Sequence, residues 1–277
     1  MTGTAQLVLR APVFKEAWQN ELAMGAANTA RTLVADDPGG GPTADGIAAL
    51  ARNVMDAVSR LTAGLLARAP AGAVACRAGC DHCCYQAVSV TVPEALAIAA
   101  HLRATLAGAE LAALVARVAT ALARTRGLSP GQRFSPEHPC PFLEEAHCSI
   151  YSVRPLSCRG MNSLDAGECA QRLRDPASRA AFVANGRGGR SFLEPIRAVQ
   201  AVSAGIQLAL GELFGLDMRP LDLIAAVHAL LDGPPATIEA WLAGQPSFGA
   251  AVRAEAATDP MLRELSGALD PPDEPHG

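Results

Sequence analysis

The sequence predicts an all-α protein: a single helical domain over residues 1–277, interrupted by an irregular cysteine-rich segment. Three observations predict it. Apolar residues recur at three- and four-residue steps along most of the chain, while the two-residue alternation of strands is nearly absent. Half of the residues are apolar but only 4% are aromatic, and much of the apolar content is alanine, which suits helices packed with close backbones. All eight cysteines fall within residues 76–169, where Pro and Gly interrupt the periodicity.

Taken in order, residues 11–35 read as a first helix with Phe14, Trp18 and Leu22 on one face. The break "DDPGGGP" (36–42) follows, and Thr43 is placed to cap a second helix in which Ile47, Leu50, Val54, Val58, Leu61 and Leu65 form the apolar stripe. Residues 11–68 are therefore expected to make an N-terminal helical hairpin. "TVPE" (91–94) is a capping box, with Thr91 as N-cap and Glu94 three residues on, and opens a helix to about Leu106. Another helix spans 109–125 and ends at Gly127. Residues 128–188 read as irregular. "SFLE" (191–194) is a second capping-box candidate, launching a long helix to about Phe214. Short helices near 220–231, 236–243 and 260–267 complete the C-terminal helices (190–267), and 268–277 reads as a disordered tail.

Composition excludes some functions. A net charge of -4 with no basic stripe argues against nucleic-acid binding, which needs clustered Lys and Arg to displace counterions. The most apolar long stretch, 196–215, carries Arg197 and Glu212, so it is a core helix and not a membrane span. The N-terminus lacks a basic region followed by an apolar run, so a cytoplasmic location is expected. In that compartment clustered cysteines are more often metal-binding or catalytic than disulfide-bonded.

The cysteines form two quartets. Cys76, Cys80, Cys83 and Cys84 lie within nine positions; Cys140, Cys148, Cys158 and Cys169 follow after a 55-residue gap. Buried free cysteines would be scattered along the whole chain, so the confinement to 76–169 points to ligation. If residues 80–84 begin a helix, Cys80 shares a face with both Cys83 and Cys84. The adjacent Cys83 and Cys84 then point about 100° apart, which favours two neighbouring sites, or two corners of a cluster, over a single zinc finger.

The motifs C-x3-C-x2-C-C, C-P-F-L, C-x-I-Y, R-P and C-R together resemble the YkgJ-type cysteine-cluster family, a zinc- or iron-chelating domain with eight characteristic cysteines. The resemblance covers about a third of the chain and implies metal chelation by Cys76, Cys80, Cys83, Cys84, Cys140, Cys148 and Cys158, with Cys169 completing the count. Iron, or an iron–sulfur cluster, is the expected cofactor, with zinc the close alternative, because thiolates suit both. Arg154 and Arg159 flank Cys158 and could offset thiolate charge, or form a solvent-exposed pair.

C-x3-C-x2-C also occurs in radical enzymes that use S-adenosylmethionine, but their β/α barrel pattern is missing from this sequence. Flagellin lysine N-methylases are similar through the same motif, which makes a metal-dependent protein methyltransferase an alternative by analogy alone. A redox, metal-handling or protein-modifying role and a structural zinc module are the other readings. The expected partner is another protein or peptide, with neither nucleic acid nor membrane involved. His82, His138 and His147 lie beside cysteines and could supplement them; His101 and His228 fall within helices and His276 in the tail.

Overall fold

The computed structural model describes residues 7, 9, 12–35, 41–184 and 190–253. The short helix expected at 260–267, the tail at 268–277 and most of the glycine-rich stretch at 186–190 lie outside the described residues.

Thr43 caps as its position suggests. Its hydroxyl accepts from the Gly46 amide at 3.1 Å and opens α2 (Ala44–Leu66), whose Ile47, Leu50, Val54 and Val58 are buried. In α3 (Val92–Thr105), Glu94 closes the predicted capping box by accepting from the Thr91 amide at 2.8 Å. α4 (Gly108–Thr125) and a left-handed Gly127 at φ 78° follow as expected. The long helix is α9 (Leu193–Phe214), stopped by Gly215 at φ 65°. α10 (Leu223–Asp232) and α11 (Ala236–Leu242) match the two short helices expected there.

The described residues contain eleven α-helices and two antiparallel pairs of two-residue strands, so the fold is all-α as predicted. β1 (Ser89–Val90) pairs with β4 (Leu221–Asp222), and β2 (Leu143–Glu144) with β3 (His147–Cys148). No helix among them is long and apolar enough to cross a membrane.

Three local expectations are corrected. The first helix, α1 (Ala17–Ala35), buries Gln19, Ala23, Ala27, Ala30 and Val34, while Trp18 is 37% exposed. α1 lies chiefly along α9 and touches α2 less. The reason is small residues: a Cβ on Gly205 of α9 would sit 2.0 Å from the Ala23 carbonyl oxygen, so the two backbones meet where large side chains cannot fit. The close alanine packing inferred from composition is realised here. Second, Ser191 does not cap α9; its hydroxyl donates to the Asn162 carbonyl at 2.9 Å, and Asn162 Oδ1 accepts from the Phe192 amide at 2.8 Å. Third, the stretch read as irregular contains α5 (Pro130–Arg133), α6 (Leu156–Gly160), α7 (Ala166–Arg174) and α8 (Pro176–Ala184).

Candidate metal centre

The first quartet sits on a loop and a 3-10 turn over His82–Tyr85, not on an α-helix. Hydrogen bonding explains the difference. The Cys84 amide donates to the Asp81 carbonyl at 2.7 Å in the 3-10 pattern. The Cys84 carbonyl is then taken by the Cys140 amide at 2.8 Å instead of by a following turn of helix. That bond joins the two quartets across the 55 intervening residues.

Each remaining cysteine is brought in by its own local structure. Cys148 closes the β2–β3 hairpin opposite Leu143, next to Cys140 in the same loop. Cys158 lies in α6, which packs on α9. Cys169 lies in α7, capped by Asp165, which accepts from the Glu168 amide at 3.0 Å. α7 packs against the 3-10 turn of the cysteine doublet. Ahead of Cys76, the Ala75 amide donates to the Ser163 carbonyl at 2.8 Å, which ties the first cysteine to the loop leading to Cys169.

The thiols feel one another. Burial, opposed by the Ser163 backbone and reinforced by Cys80, Cys83 and Cys169, pushes the Cys76 thiol up. Burial pushes Cys140 up to about 12, with Cys148 and Cys83 adding to it. It also raises Cys158, helped by Cys83, Cys140 and Cys148, and raises Cys148. Cys83 goes the other way: a hydrogen bond from the neighbouring Cys84 thiol, helped by Arg154, brings it down to about 7 against the opposing effect of burial. Cys84, the donor of that bond, is correspondingly raised. Cys76 and Cys83 are exposed to solvent and the other six are partly buried. No group of three or more His, Cys, Asp or Glu among the described residues is already set for metal ligation. The thiols are gathered but not closed on one point.

The two arginines differ. Arg159 is buried and committed to structure, donating to the Arg154 carbonyl at 2.9 Å, the Ser152 carbonyl at 2.6 Å and the Ser59 hydroxyl. Arg154, stacked 4.0 Å over the Tyr151 ring, helps lower Cys83 and opposes the rise that burial imposes on Cys148 and Cys158; Arg159 opposes it at Cys148 as well. Two further arginines escaped sequence reasoning. Arg117 of α4 donates to the Pro141 carbonyl at 2.7 Å and pairs with Glu144, and the buried Arg133 donates to the His138 carbonyl. Arg117, Arg133 and Arg159 thus satisfy carbonyls of an irregular loop that has few ladder partners of its own. Their spacing to the cysteines carries no motif, so only the tertiary structure reveals them.

Among the histidines, His147 Nδ1 lies 2.7 Å from the Glu145 carbonyl oxygen. The Nδ1 atoms of His82 and His138 are buried without a hydrogen bond, and His82 Nδ1 lies 3.5 Å from Asp81 Oδ1.

No curated protein and no solved structure matches the chain. Residues 75–175, which include all eight cysteines, match the family model CxxCxxCC, described as "Putative zinc- or iron-chelating domain".

Proposed function

We propose that the protein is a metal-binding protein that chelates iron, as thiolate-bound iron or an iron–sulfur centre, or alternatively zinc, through Cys76, Cys80, Cys83, Cys84, Cys140, Cys148, Cys158 and Cys169. The observation that carries this reading is the hydrogen bond from Cys140 to Cys84, which folds two cysteine quartets, remote in sequence, into one region. The donor set fits such a centre, since thiolates are the preferred ligands of both metals. Arg154 supports it by favouring the thiolate form of Cys83 and by opposing, in part, the burial that raises Cys148 and Cys158.

Bound iron would supply electron transfer, whereas zinc would supply cross-linking without redox chemistry. The chain's own contribution is to gather the thiols, hold the loop through Arg117, Arg133 and Arg159, and leave Cys76 and Cys83 at the surface. An open edge of this kind suits a redox or metal-handling exchange with another protein better than a sealed structural site. Element analysis with an absorption spectrum of anaerobically purified protein tests the reading. Stoichiometric iron with thiolate-to-iron charge-transfer bands supports the iron form, and colourless protein with stoichiometric zinc supports the alternative. Folded protein free of either metal overturns both.

A further inference from the structure

We propose that Cys83 and Cys84 form a redox switch on the metal site: in the metal-free protein hydrogen peroxide joins them in a vicinal disulfide, which blocks metal loading until a thiol reductant reopens it. The proposal rests on the chelation reading and adds its regulation.

Local structure supplies the pair. Cys83 and Cys84 are consecutive residues of the 3-10 turn His82–Tyr85. The Cys84 thiol donates a hydrogen bond to the Cys83 sulfur, so the two sulfurs already face one another. Cys83 is exposed to solvent, within reach of a small oxidant, and both thiols are free.

The chemistry needs only these two thiols and the peroxide. The Cys83 sulfur, as thiolate, attacks one peroxide oxygen; the O–O bond breaks, Cys83 becomes a sulfenic acid and the other oxygen leaves as hydroxide, which takes up the Cys83 proton as water. The Cys84 sulfur then attacks the Cys83 sulfur. The S–S bond forms, the S–O bond breaks, and hydroxide leaves with the Cys84 proton as a second water. The pair loses two electrons and the peroxide gains them.

Backbone geometry makes the bond reversible and gives it reach. Consecutive Cα atoms lie about 3.8 Å apart across a trans peptide, short of the ~4.4–6.8 Å that disulfides usually span. A bond closed under that strain is the more easily reduced, which suits a switch and not a permanent staple. Drawing the sulfurs to about 2.05 Å also requires the turn to yield. Its weak point is the bond from the Gln86 amide to the Cys83 carbonyl, 3.3 Å against 2.7 Å for the bond from the Cys84 amide to the Asp81 carbonyl. The Cys84 carbonyl holds the Cys140 amide, so movement there loosens the tie between the quartets. Oxidation thus removes two thiolates and disturbs a third.

The test uses the full chain, stripped of metal, reduced, and treated with equimolar hydrogen peroxide. Remaining thiols are blocked with iodoacetamide before peptide mass mapping. In wild type Cys76, Cys80, Cys140, Cys148, Cys158 and Cys169 should be alkylated, and Cys83 and Cys84 bridged. C80S should form the same bridge, whereas C84S should leave Cys83 as a sulfenic acid that dimedone captures. Zinc titration against a competing chelator should show oxidised wild type weakened beyond the about 10- to 100-fold that changes to ligand-orienting residues cost. Dithiothreitol should restore the affinity of the reduced protein, and circular dichroism separates this loss from unfolding. No bridge, a bridge to any other cysteine, or unaltered zinc affinity in the bridged protein overturns the switch and leaves chelation standing. Reduced protein that takes no zinc overturns chelation, and the gate with it, while the mapping still decides the disulfide.

Discussion

Glu94 Oε1 accepts from the Leu156 amide at 2.8 Å, across 62 residues, while Oε2 accepts from both the amide and the hydroxyl of Thr91 at 2.8 Å. One buried carboxylate thus caps α3 and pins the segment that carries Cys158. Burial pushes the Glu94 carboxyl above the usual carboxylate range in spite of these bonds, so the carboxylate is held at a cost. A capping residue that doubles as a tertiary anchor couples the helical core to the cysteine loop.

E94Q keeps the shape but offers only one acceptor oxygen to two sets of donors, so one backbone amide faces an NH2 group. E94A removes both acceptors. A buried amide without a partner costs about 1–3 kcal/mol, and the loss in denaturant unfolding should therefore be about that for E94Q and larger for E94A. Metal affinity should fall in both, because Cys158 loses its anchor. A stability unchanged in E94A would show that the bond contributes nothing.

How far the sequence could be read follows from how local each determinant is. The caps at Thr43 and Thr91 and the cysteine motifs are set by residues within four positions, and they were legible. The Ser191 cap fails because Asn162, 29 residues away, claims the hydroxyl. The buried face of α1 is set by Gly205 on a distant helix, so Trp18 is left at the surface although it fits the apolar period. α7 hides behind its polar sequence, "AGECAQRLR", although Asp165 followed by Glu168 is a start signal of the capping kind. The Cys84 carbonyl, taken by Cys140, turns an expected α-helix into a 3-10 turn. Long-range partners, not weak propensities, account for these differences.

The thiols predict a pH profile for the metal-free protein. Cys140 ionises near 12 when folded, against about 8.5 in an unfolded chain. Its raised value means that its contribution is fully present below about 8.5 and is lost as pH rises toward 12. Cys76, Cys148 and Cys158 shift in the same direction. Cys83, held down to about 7, acts oppositely, adding stability as pH rises from about 7 to about 8.5. Urea unfolding of metal-free protein should show a shallow maximum near the top of that window and a decline above it. Metal-loaded protein, whose thiolates carry no protons, should lack the alkaline decline.

Metal removal should loosen one part of the chain. Thiolate-bound structural zinc contributes about 10–16 kcal/mol in small peptides, comparable to or above the roughly 5–15 kcal/mol stability of a whole domain. The loop over 139–165 has only short helical and strand pieces, whereas α2 and α9 rest on a buried apolar core. Limited proteolysis with chelator should place early cuts in 139–165 while α2 and α9 persist. Uniform digestion would show that the metal stabilises the whole fold equally.

Two glycines on facing helices should respond oppositely to alanine. Gly205 meets the Ala23 carbonyl, a backbone atom that cannot rotate away, so G205A must push α1 off α9. Overpacking of that kind costs about 1–3 kcal/mol, and more where no side chain can yield. Gly25, exposed in the middle of α1 with nothing within 4 Å of an added Cβ, is free of such conflict. G25A should raise stability by about 0.8–1 kcal/mol through helix propensity alone. Equal effects of the two changes would mean that the close approach of α1 and α9 does not constrain the fold.

The β2–β3 hairpin holds Glu145 at φ 48° and Ala146 at φ 62°, both left-handed, in a two-residue loop between the paired Glu144 and His147. Two consecutive positive φ values define the turn that Asn-Gly forms most readily, and ordinary L residues pay about 1–2 kcal/mol each to adopt them. E145N/A146G should therefore relax the turn and stabilise the metal-free protein by about 1 kcal/mol, after allowing for the entropy that glycine adds to the unfolded chain. The contact from His147 to the Glu145 carbonyl uses backbone oxygen and should survive. Because the hairpin sets Cys148 beside Cys140, a better-formed turn preorganises two thiols, and zinc affinity should rise with stability. Competitive chelator titration alongside thermal unfolding would check both; a variant less stable than wild type would show that the strained pair is held by contacts that outweigh its backbone cost.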